Sequence, residues 1–184
     1  VNERCNLKED FYTKLHDLAK IKTNEFEKYV LYRNKLRNSE INIPIKPSYK
    51  LAELIGIYLG DGNLYHKTYG LTITCGKIDY NYITKYIPKL IKDIFNKEGS
   101  NYHSKTSNAI KYRIYSKDIC SYLINNFNLS YGKKINTEIP KVIFQNKDFL
   151  RACVRGLIDT DGGIYRHHKT NLQIIFFNSQ ISLI

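Results

Sequence analysis

The chain carries the same helical pattern twice, one hundred residues apart. LAELIGIYLGDG starts at Leu51, and RACVRGLIDTDG starts at Arg151. At an offset of 100 and without a gap, four identical residues fall in register: Ala52, Gly56, Asp61 and Gly62 match Ala152, Gly156, Asp161 and Gly162. Chance readily matches apolar residues, but it rarely matches Ala, Gly, Asp and Gly together. The sequence therefore predicts a fold that contains an internal repeat.

Each repeated segment carries a line of small residues at helical spacing. Leu51, Leu54 and Ile55 begin an i, i+3, i+4 apolar pattern that is typical of a helix. The small residues recur every four positions in both segments: Ala52, Gly56 and Gly60, and Ala152, Gly156 and Thr160. Glycine inside a helix costs about 1 kcal/mol relative to alanine. Packing on a sheet could explain one such helix, but the same pattern in two helices favours close packing of one against the other.

Packing of the two helices in register brings Asp61 and Asp161 together at their carboxyl ends. Two carboxylates repel each other, and each lies at the negative end of a helix dipole. A divalent cation between the acids would compensate, and carboxylate oxygens suit Mg²⁺. Such a site could position a phosphate and activate water for phosphodiester cleavage. The glycines that follow the acids end the helices and allow a nucleic-acid backbone to approach closely.

The charge of the chain favours a polyanionic partner. Lys and Arg number 29 against 17 Asp and Glu, which gives a formal net charge of +12. DNA, RNA and an anionic membrane surface are the candidate partners. No apolar run approaches the roughly 18–20 residues of a membrane span, and no long basic amphipathic helix indicates membrane-surface binding. Nucleic acid is therefore the predicted partner.

The two segments IGIYLGDG and VRGLIDTDG resemble the paired name-giving motifs of the LAGLIDADG homing endonuclease family, in its single-chain, two-repeat form. The lead-in IPKVIFQNKDFLRACVRGLIDTDGGIY is similar to the family over its whole length. The resemblance implies an α+β fold with a duplicated αββαββα unit, whose antiparallel sheets form a saddle on DNA. It also implies a first repeat over 44–140 and a second repeat over 141–184 that is incomplete. Residues 1–43 lie outside the resemblance, and their apolar spacing predicts an N-terminal helical extension.

The resemblance further implies the chemistry. The chain would be a site-specific endonuclease that cleaves double-stranded DNA at a long asymmetric target, in a prokaryotic or archaeal cytoplasm or an organelle, with Mg²⁺ or Mn²⁺ as cofactor. Asp61 and Asp161 would be catalytic and would bind the metal, with Gly60 and Thr160 as further ligands. Lys117 would be a third catalytic residue. Asp159 is excluded because the first repeat has Leu59 at that position. The protein would act as a monomer if its second repeat were complete.

The segments around the motifs carry the residues expected of a DNA-reading sheet. Residues 63–75 and 100–115 read as two hairpins, 79–97 as a helix with Pro88 inside it, and 117–127 as a shorter helix. Lys and Arg can neutralise phosphates, while Arg, Asn and Gln can also reach base edges. The predicted DNA-binding residues are Tyr65, Lys67, Tyr69, Thr72, Thr74, Lys77, Tyr102, Lys105, Lys111, Arg113, Tyr165, Arg166, His168, Lys169, Asn171 and Gln173.

Two other interpretations stay open. A catalytically inactive relative, such as a maturase that assists intron RNA or a regulator that binds DNA, would share the fold. A truncated remnant would explain the short second repeat. The presence of both Asp61 and Asp161 favours the nuclease, because a protein that only binds gains nothing from two carboxylates that repel each other.

Overall fold

The computed structural model describes residues 41–104, 107–134, 137–167 and 171–176. Two long helices, α1 and α5, carry the repeated motifs. The helices are α1 (Tyr49–Asp61), α2 (Ile87–Phe95), α3 (Lys117–Phe127), α4 (Lys141–Phe144) and α5 (Lys147–Asp161). The strands are β1 (Gly62–Tyr65), β2 (Gly70–Gly76), β3 (Ser100–His103), β4 (Ala109–Tyr115), β5 (Gly162–His167) and β6 (Asn171–Phe176).

The first half forms a four-stranded antiparallel sheet in the order β1-β2-β4-β3. Alternate residues point to opposite faces of a strand. Leu71, Ile73 and Ile114 are buried on one face, in the same core as the apolar side chains of α1, α2 and α3. The element order of this half is helix, two strands, helix, two strands, helix, and the predicted α+β class with antiparallel sheets is confirmed.

Helix α1 is buried on nearly all sides. The hydroxyl of Ser48 accepts a hydrogen bond from the Leu51 amide (3.2 Å) and so caps its amino end. All nine residues from 51 to 59 are buried, whereas the sequence pattern indicated a single apolar face. The wider burial follows from packing against two partners, because α1 contacts β2 on one side and α5 on the other.

Glycines Gly56 and Gly156 let α1 and α5 touch along their backbones. A Cβ atom added to Gly56 would overlap the carbonyl oxygen of Cys153. A Cβ added to Gly156 would overlap the carbonyl oxygen of Glu53 and lie 2.8 Å from the amide nitrogen of Ile57. Both obstacles are backbone atoms, so a side chain could be accommodated only if the helices moved apart.

The predicted helix over residues 79–97 is divided in the structure. A 3₁₀ turn covers Lys77–Asp79, residues 80 and 81 are α-helical, and a π-helical turn over Tyr82–Tyr86 leads directly into α2 at Ile87. Pro88 lies in the first turn of α2, where a helix does not require its amide hydrogen. The predicted helix is therefore present from residue 80 to residue 95, with a π-helical turn inside it that the sequence pattern did not indicate.

The described part of the second half contains α4, α5 and a hairpin of β5 and β6. The register Ile164↔Ile174 repeats Leu64↔Leu71 of the first half. Leu64 and Leu71 are at most 1% exposed, whereas Ile174 is 63% exposed and Leu172 is 69% exposed. Leu172 and Ile174 on the core face of the second hairpin therefore face solvent, whereas Phe176 on the same face packs against the core. No helix in the described ranges combines the length and apolar character needed to cross a membrane.

We expect Gly56→Ala to destabilise the protein, although alanine is the better helix former. The added methyl group would meet the Cys153 carbonyl, and overpacking of this kind costs about 1–3 kcal/mol. The free energy of unfolding from urea titration should fall by that amount. Gly163→Ala is the control, because a Cβ there meets nothing within 4 Å. Equal or higher stability of Gly56→Ala would contradict the close backbone contact.

Candidate metal and nucleic-acid site

The close packing of α1 and α5 continues to their carboxyl ends and brings the two motif acids together. A Cβ added to Gly60 would overlap the hydroxyl of Thr160 and lie 3.3 Å from the carboxyl carbon of Asp161. Asp61 follows Gly60 directly, and the charge of Asp161 acts on it electrostatically. The structure therefore places Asp61 and Asp161 beside each other at the end of the helix pair.

Asp61 is an unusually basic carboxyl group. Burial is the main cause that raises its pKa to about 6, and the neighbouring charge of Asp161 adds to the effect. Lys134 and a hydrogen bond from the Cys75 thiol act in the opposite direction. Burial also raises the pKa of Cys75 to about 12, so the thiol stays protonated and can donate that hydrogen bond. Asp61 is thus held in a site that disfavours its charge unless a cation is near.

Lys134 supplies a cation at this site and is not among the residues predicted from the sequence. Its ammonium group donates hydrogen bonds to the carbonyl oxygens of Tyr58 (3.0 Å), Leu59 (2.6 Å) and Gly60. These carbonyls belong to the last turn of α1, where the dipole is negative, and only that of Tyr58 also accepts a capping hydrogen bond, from the amide of Gly62. Burial lowers the pKa of Lys134, while Asp161 and Asp61 act to raise it.

The segment that carries Lys134 is anchored to the end of α1 and to the sheet. The hydroxyl of Tyr58 donates to the carbonyl oxygen of Ser130 (2.6 Å). The amide of Gly132 donates to the carbonyl oxygen of Leu64 (2.8 Å), and Gly132 has a positive φ of 74°. No local motif in this segment signals the role of Lys134. The one signal in the sequence is the charge imbalance at the two acids, which the prediction of a bound metal ion explains without a lysine.

The residues present fit a hard divalent cation. The two carboxylates offer oxygen ligands, which Mg²⁺ and Mn²⁺ prefer. Among the described residues, no group of three or more His, Cys, Asp and Glu side chains could hold a metal. A bound ion would therefore rest on Asp61 and Asp161 and complete its shell with water and phosphate oxygens, as Mg²⁺ commonly does.

The other two predicted metal ligands are already engaged. The carbonyl of Gly60 accepts a hydrogen bond from Lys134. The hydroxyl of Thr160 donates within its own helix, to the carbonyl oxygens of Gly156 (2.9 Å) and Leu157 (3.1 Å). The roles of Gly60 and Thr160 as ligands stay predictions.

Asp159 lies in a second charged cluster, away from the pair. Its carboxylate is 3.7 Å from Nε of Arg155, which also lies 3.6 Å from the carboxylate of Glu53. Glu53 is buried in α1, and the hydroxyl of Tyr86 donates to it at 2.5 Å. This cluster bridges α1 and α5 on another side of the interface. The helical pattern gave no sign of it, because Glu53 falls among apolar residues.

Lys117 is not brought to the two acids by the strand register. It follows Tyr115, which pairs with Gly70 at one end of β2. The carboxyl group of Asp61 contacts Cys75, near the other end of that strand. Five residues along a strand correspond to about 16 Å. The ammonium group of Lys117 instead lies 5.7 Å from the ring centre of Tyr69, and a catalytic role for Lys117 stays a prediction.

The outward face of the four-stranded sheet carries many of the predicted DNA-binding residues. Arg113 and Lys111 alternate with buried residues of β4, and Tyr102 pairs with Lys111 from β3. Tyr65 and Thr74 lie on the same face, as does Thr72, which is only 1% exposed. Lys67 and Lys77 lie exposed in turns, and Tyr69 is partly buried against the core.

The hairpin of β5 and β6 divides its predicted residues between two faces. Tyr165 pairs with Gln173, and its hydroxyl donates to the side-chain oxygen of Gln173 (2.5 Å). Asn171 lies on that same face, two residues along the strand. Arg166 points to the opposite face, with Leu172. The predicted residues Lys105, His168 and Lys169, and nearly all of the N-terminal extension over 1–43, lie outside the described residues.

Comparison with known sequences finds relatives of unlike function. No family model matches the chain. The chain is 25% identical over 184 residues to a glutamine–fructose-6-phosphate aminotransferase of Methanocaldococcus jannaschii. In the same organism it is 28% identical over 142 residues to the DNA-directed RNA polymerase subunit Rpo1C, and 30% identical over 157 residues to the uncharacterized protein MJ1054. The matches cover 92%, 73% and 79% of this chain but only 16%, 15% and 17% of those relatives.

Solved structures with a similar fold include LAGLIDADG homing endonucleases. The homing endonuclease I-DmoI in complex with DNA and Mn is 21% identical, with a TM-score of 0.44, over 62% of this chain and 63% of that one. I-DmoI with DNA and Ca is 20% identical, also with a TM-score of 0.44, over 62% and 58%. I-SmaMI bound to cleaved DNA is 14% identical, with a TM-score of 0.36, over 73% and 66%.

We expect Asp61→Asn to stabilise the metal-free protein at neutral pH. The folded pKa of Asp61 is about 6, against an ordinary value of 3.8. The protonated group therefore favours the folded protein fully below pH 3.8, and this contribution is lost as the pH rises through about 6. At pH 7 the variant should gain about 1–2 kcal/mol in free energy of unfolding, and at pH 4 much less. Urea titrations with a chelator measure both, with the exposed Glu138→Gln as control. A gain that does not depend on pH would contradict the assigned pKa.

We expect Lys134→Gln to destabilise the protein strongly in the absence of metal. The change removes the cation from three helix-end carbonyls and two carboxylates. Loss of one partner from a buried charged cluster costs about 3–5 kcal/mol. Thermal unfolding at pH 8 should show the loss. The adjacent Lys133→Gln removes the same charge from an exposed side chain and should change little. Equal stability of the two variants would show that Lys134 does not hold the acids.

Proposed function

We propose that the chain is a metal-dependent DNA endonuclease module of the LAGLIDADG homing type. The observation that carries the proposal is the pair of carboxylates, Asp61 and Asp161, held together at the ends of two helices in backbone contact. An arrangement that raises the pKa of one acid to about 6 is a cost to the folded protein, and a cation that binds there during function gives a reason for it.

The chemistry follows from the donor set. A bound Mg²⁺ or Mn²⁺ would polarise a phosphodiester and lower the pKa of a coordinated water. The residues of the chain have simpler tasks. Asp61 and Asp161 hold the ion, and the glycines after them, Gly62 and Gly162, turn the chain into strands that leave the site open to a DNA backbone.

Lys134 limits the repulsion at the site. Its ammonium group neutralises part of the charge of the two acids and of the α1 dipole, so the site can form before an ion binds. Its three carbonyl partners fix its position, and a fixed cation beside a reacting phosphate can stabilise the negative charge that develops there.

The relatives support a module whose role is separate from the proteins that contain it. An aminotransferase and an RNA polymerase subunit, as their names describe them, share no chemistry. This chain nevertheless matches 16% of the length of the first and 15% of the length of the second. The recurrence of one segment in two proteins with unlike names favours a role that is separate from either named activity. A self-contained nuclease of a mobile element accounts for such a distribution.

A DNA-binding relative without cleavage is the second candidate. The exposed apolar side chains of Leu172 and Ile174 favour it, because they show the second half with less cover than the first in the part that the structure describes. The net charge of +12 and the polar sheet face would serve binding equally well. Cleavage separates the two candidates.

We expect Asp161→Asn to abolish cleavage while DNA binding persists. The protein, with Mg²⁺ or Mn²⁺, would be incubated with a library of randomised DNA duplexes, and the cut products would be sequenced. Removal of a metal ligand should reduce cleavage at least about 100-fold. Asp159→Asn is the matched control, because it removes a carboxylate from the same helix that pairs with Arg155 instead. Binding of DNA by the parent without cleavage at any metal concentration would favour the second candidate.

A further inference from the structure

One arginine occupies the centre of the outward sheet face and is surrounded by tyrosine rings. The guanidinium carbon of Arg113 lies 5.1 Å from the ring centre of Tyr102, 5.7 Å from that of Tyr65 and 5.9 Å from that of Tyr115. Each distance is within the range of a cation–π contact. The three rings belong to three different strands, so together they hold the guanidinium over the middle of the sheet.

The neighbours of Arg113 across the sheet are small, which gives the guanidinium room to lie on the surface. Arg113 pairs with Thr72 on one side and with Ser100 on the other. Its Nε donates to the hydroxyl of Thr72 (3.0 Å), and its Nη1 donates to the hydroxyl of Tyr115 (3.1 Å). Thr72 is 1% exposed, which fits a side chain covered by the arginine.

These contacts orient the guanidinium and leave donors for a ligand. A guanidinium has five N–H donors, and the two hydrogen bonds above use two of them. No carboxylate in the described ranges lies within the 4.0 Å that would define an ion pair with Arg113. An arginine held by rings and hydroxyls alone keeps its full charge available to an acceptor.

The position of Arg113 favours contact with bases rather than with phosphates. Strands β1 and β3 form the edges of the sheet, and Arg113 lies on the inner strand β4. Four strands span about 14 Å, similar to the roughly 12 Å width of the major groove. If the sheet lies in the groove, its edges approach the two backbones and its centre approaches the base edges.

We propose that Arg113 reads one guanine in the major groove, as a specificity-determining residue of the DNA-binding face. This inference rests on the proposed function. Guanine presents two acceptors, O6 and N7, at a spacing that a guanidinium matches with two parallel hydrogen bonds. The three tyrosines and Thr72 act as positioning residues that fix the plane of the guanidinium before DNA arrives.

The test is a binding selection from a randomised duplex library, in a chelator so that no strand is cut. The parent should enrich sequences with guanine at one position. Arg113→Gln should lose that preference at least about five-fold and keep the preferences at other positions. Arg113→Lys should lose it as well, because an ammonium group retains the charge but not the planar pair of donors.

Two further variants keep the test independent of folding. Tyr115→Phe keeps the ring and removes the hydroxyl that accepts from Nη1, so it should weaken the same guanine preference without removing it. Lys92→Gln removes one charge from α2, whose apolar side chains lie in the core beneath the opposite face of the sheet, and should leave the selected sequence unchanged. Thermal unfolding of each variant confirms that it is folded.

Three outcomes would overturn the inference. The first is selection of the same guanine by Arg113→Gln and by the parent. The second is a uniform loss of affinity for all sequences with a smaller dependence on salt, which would identify Arg113 as a phosphate contact. The third is failure of the parent to bind any duplex, which would overturn the proposed function as well. If the parent cleaves DNA in the separate assay with metal, and Arg113→Gln selects the same guanine as the parent, only the present inference is overturned and the proposed function stands.

Discussion

The contact between the backbones of α1 and α5 determines where everything else in the site lies. Gly56 and Gly156 have no side chains to hold the helices apart, so carbonyl and amide groups of one helix meet those of the other. That contact also sets the distance between the carboxyl groups of Asp61 and Asp161. A larger residue at either glycine would increase the distance between the helix axes and with it the distance between Asp61 and Asp161.

The same contact produces an electrostatic problem that a distant part of the chain relieves. The ends of two helices and two carboxylates concentrate negative charge in a half-buried place, and the raised pKa of Asp61 reflects this. Lys134 reaches the end of α1 from a segment without regular structure, which is fixed through Tyr58 and Leu64. The loop is therefore part of the site, and its anchoring is as important as the lysine itself.

The sequence predicted the features that depend on local periodicity and on the repeat. The two motif helices, both hairpins of the first half and helix α3 follow patterns of spacing that a single segment contains. Features that depend on contacts between distant segments were not predictable in this way. Lys134 lies in the segment that the sequence indicates as a linker, and Glu53 lies among apolar residues. Thr72 falls on the outward face of its strand, and its burial follows from the contact with Arg113. The π-helical turn ahead of α2 was likewise not indicated by the apolar spacing.

The charge distribution explains why the site would require a metal in addition to Lys134. A net charge of +12 attracts a polyanion to the protein, but the two acids repel the phosphate that must come closest to them. Lys134 cannot remove this barrier alone, because its one charge is shared by three carbonyls and two carboxylates. A divalent ion on the open side of the carboxylates would reverse the sign of the local potential, and a phosphate could then approach the same atoms that repel it in the metal-free protein.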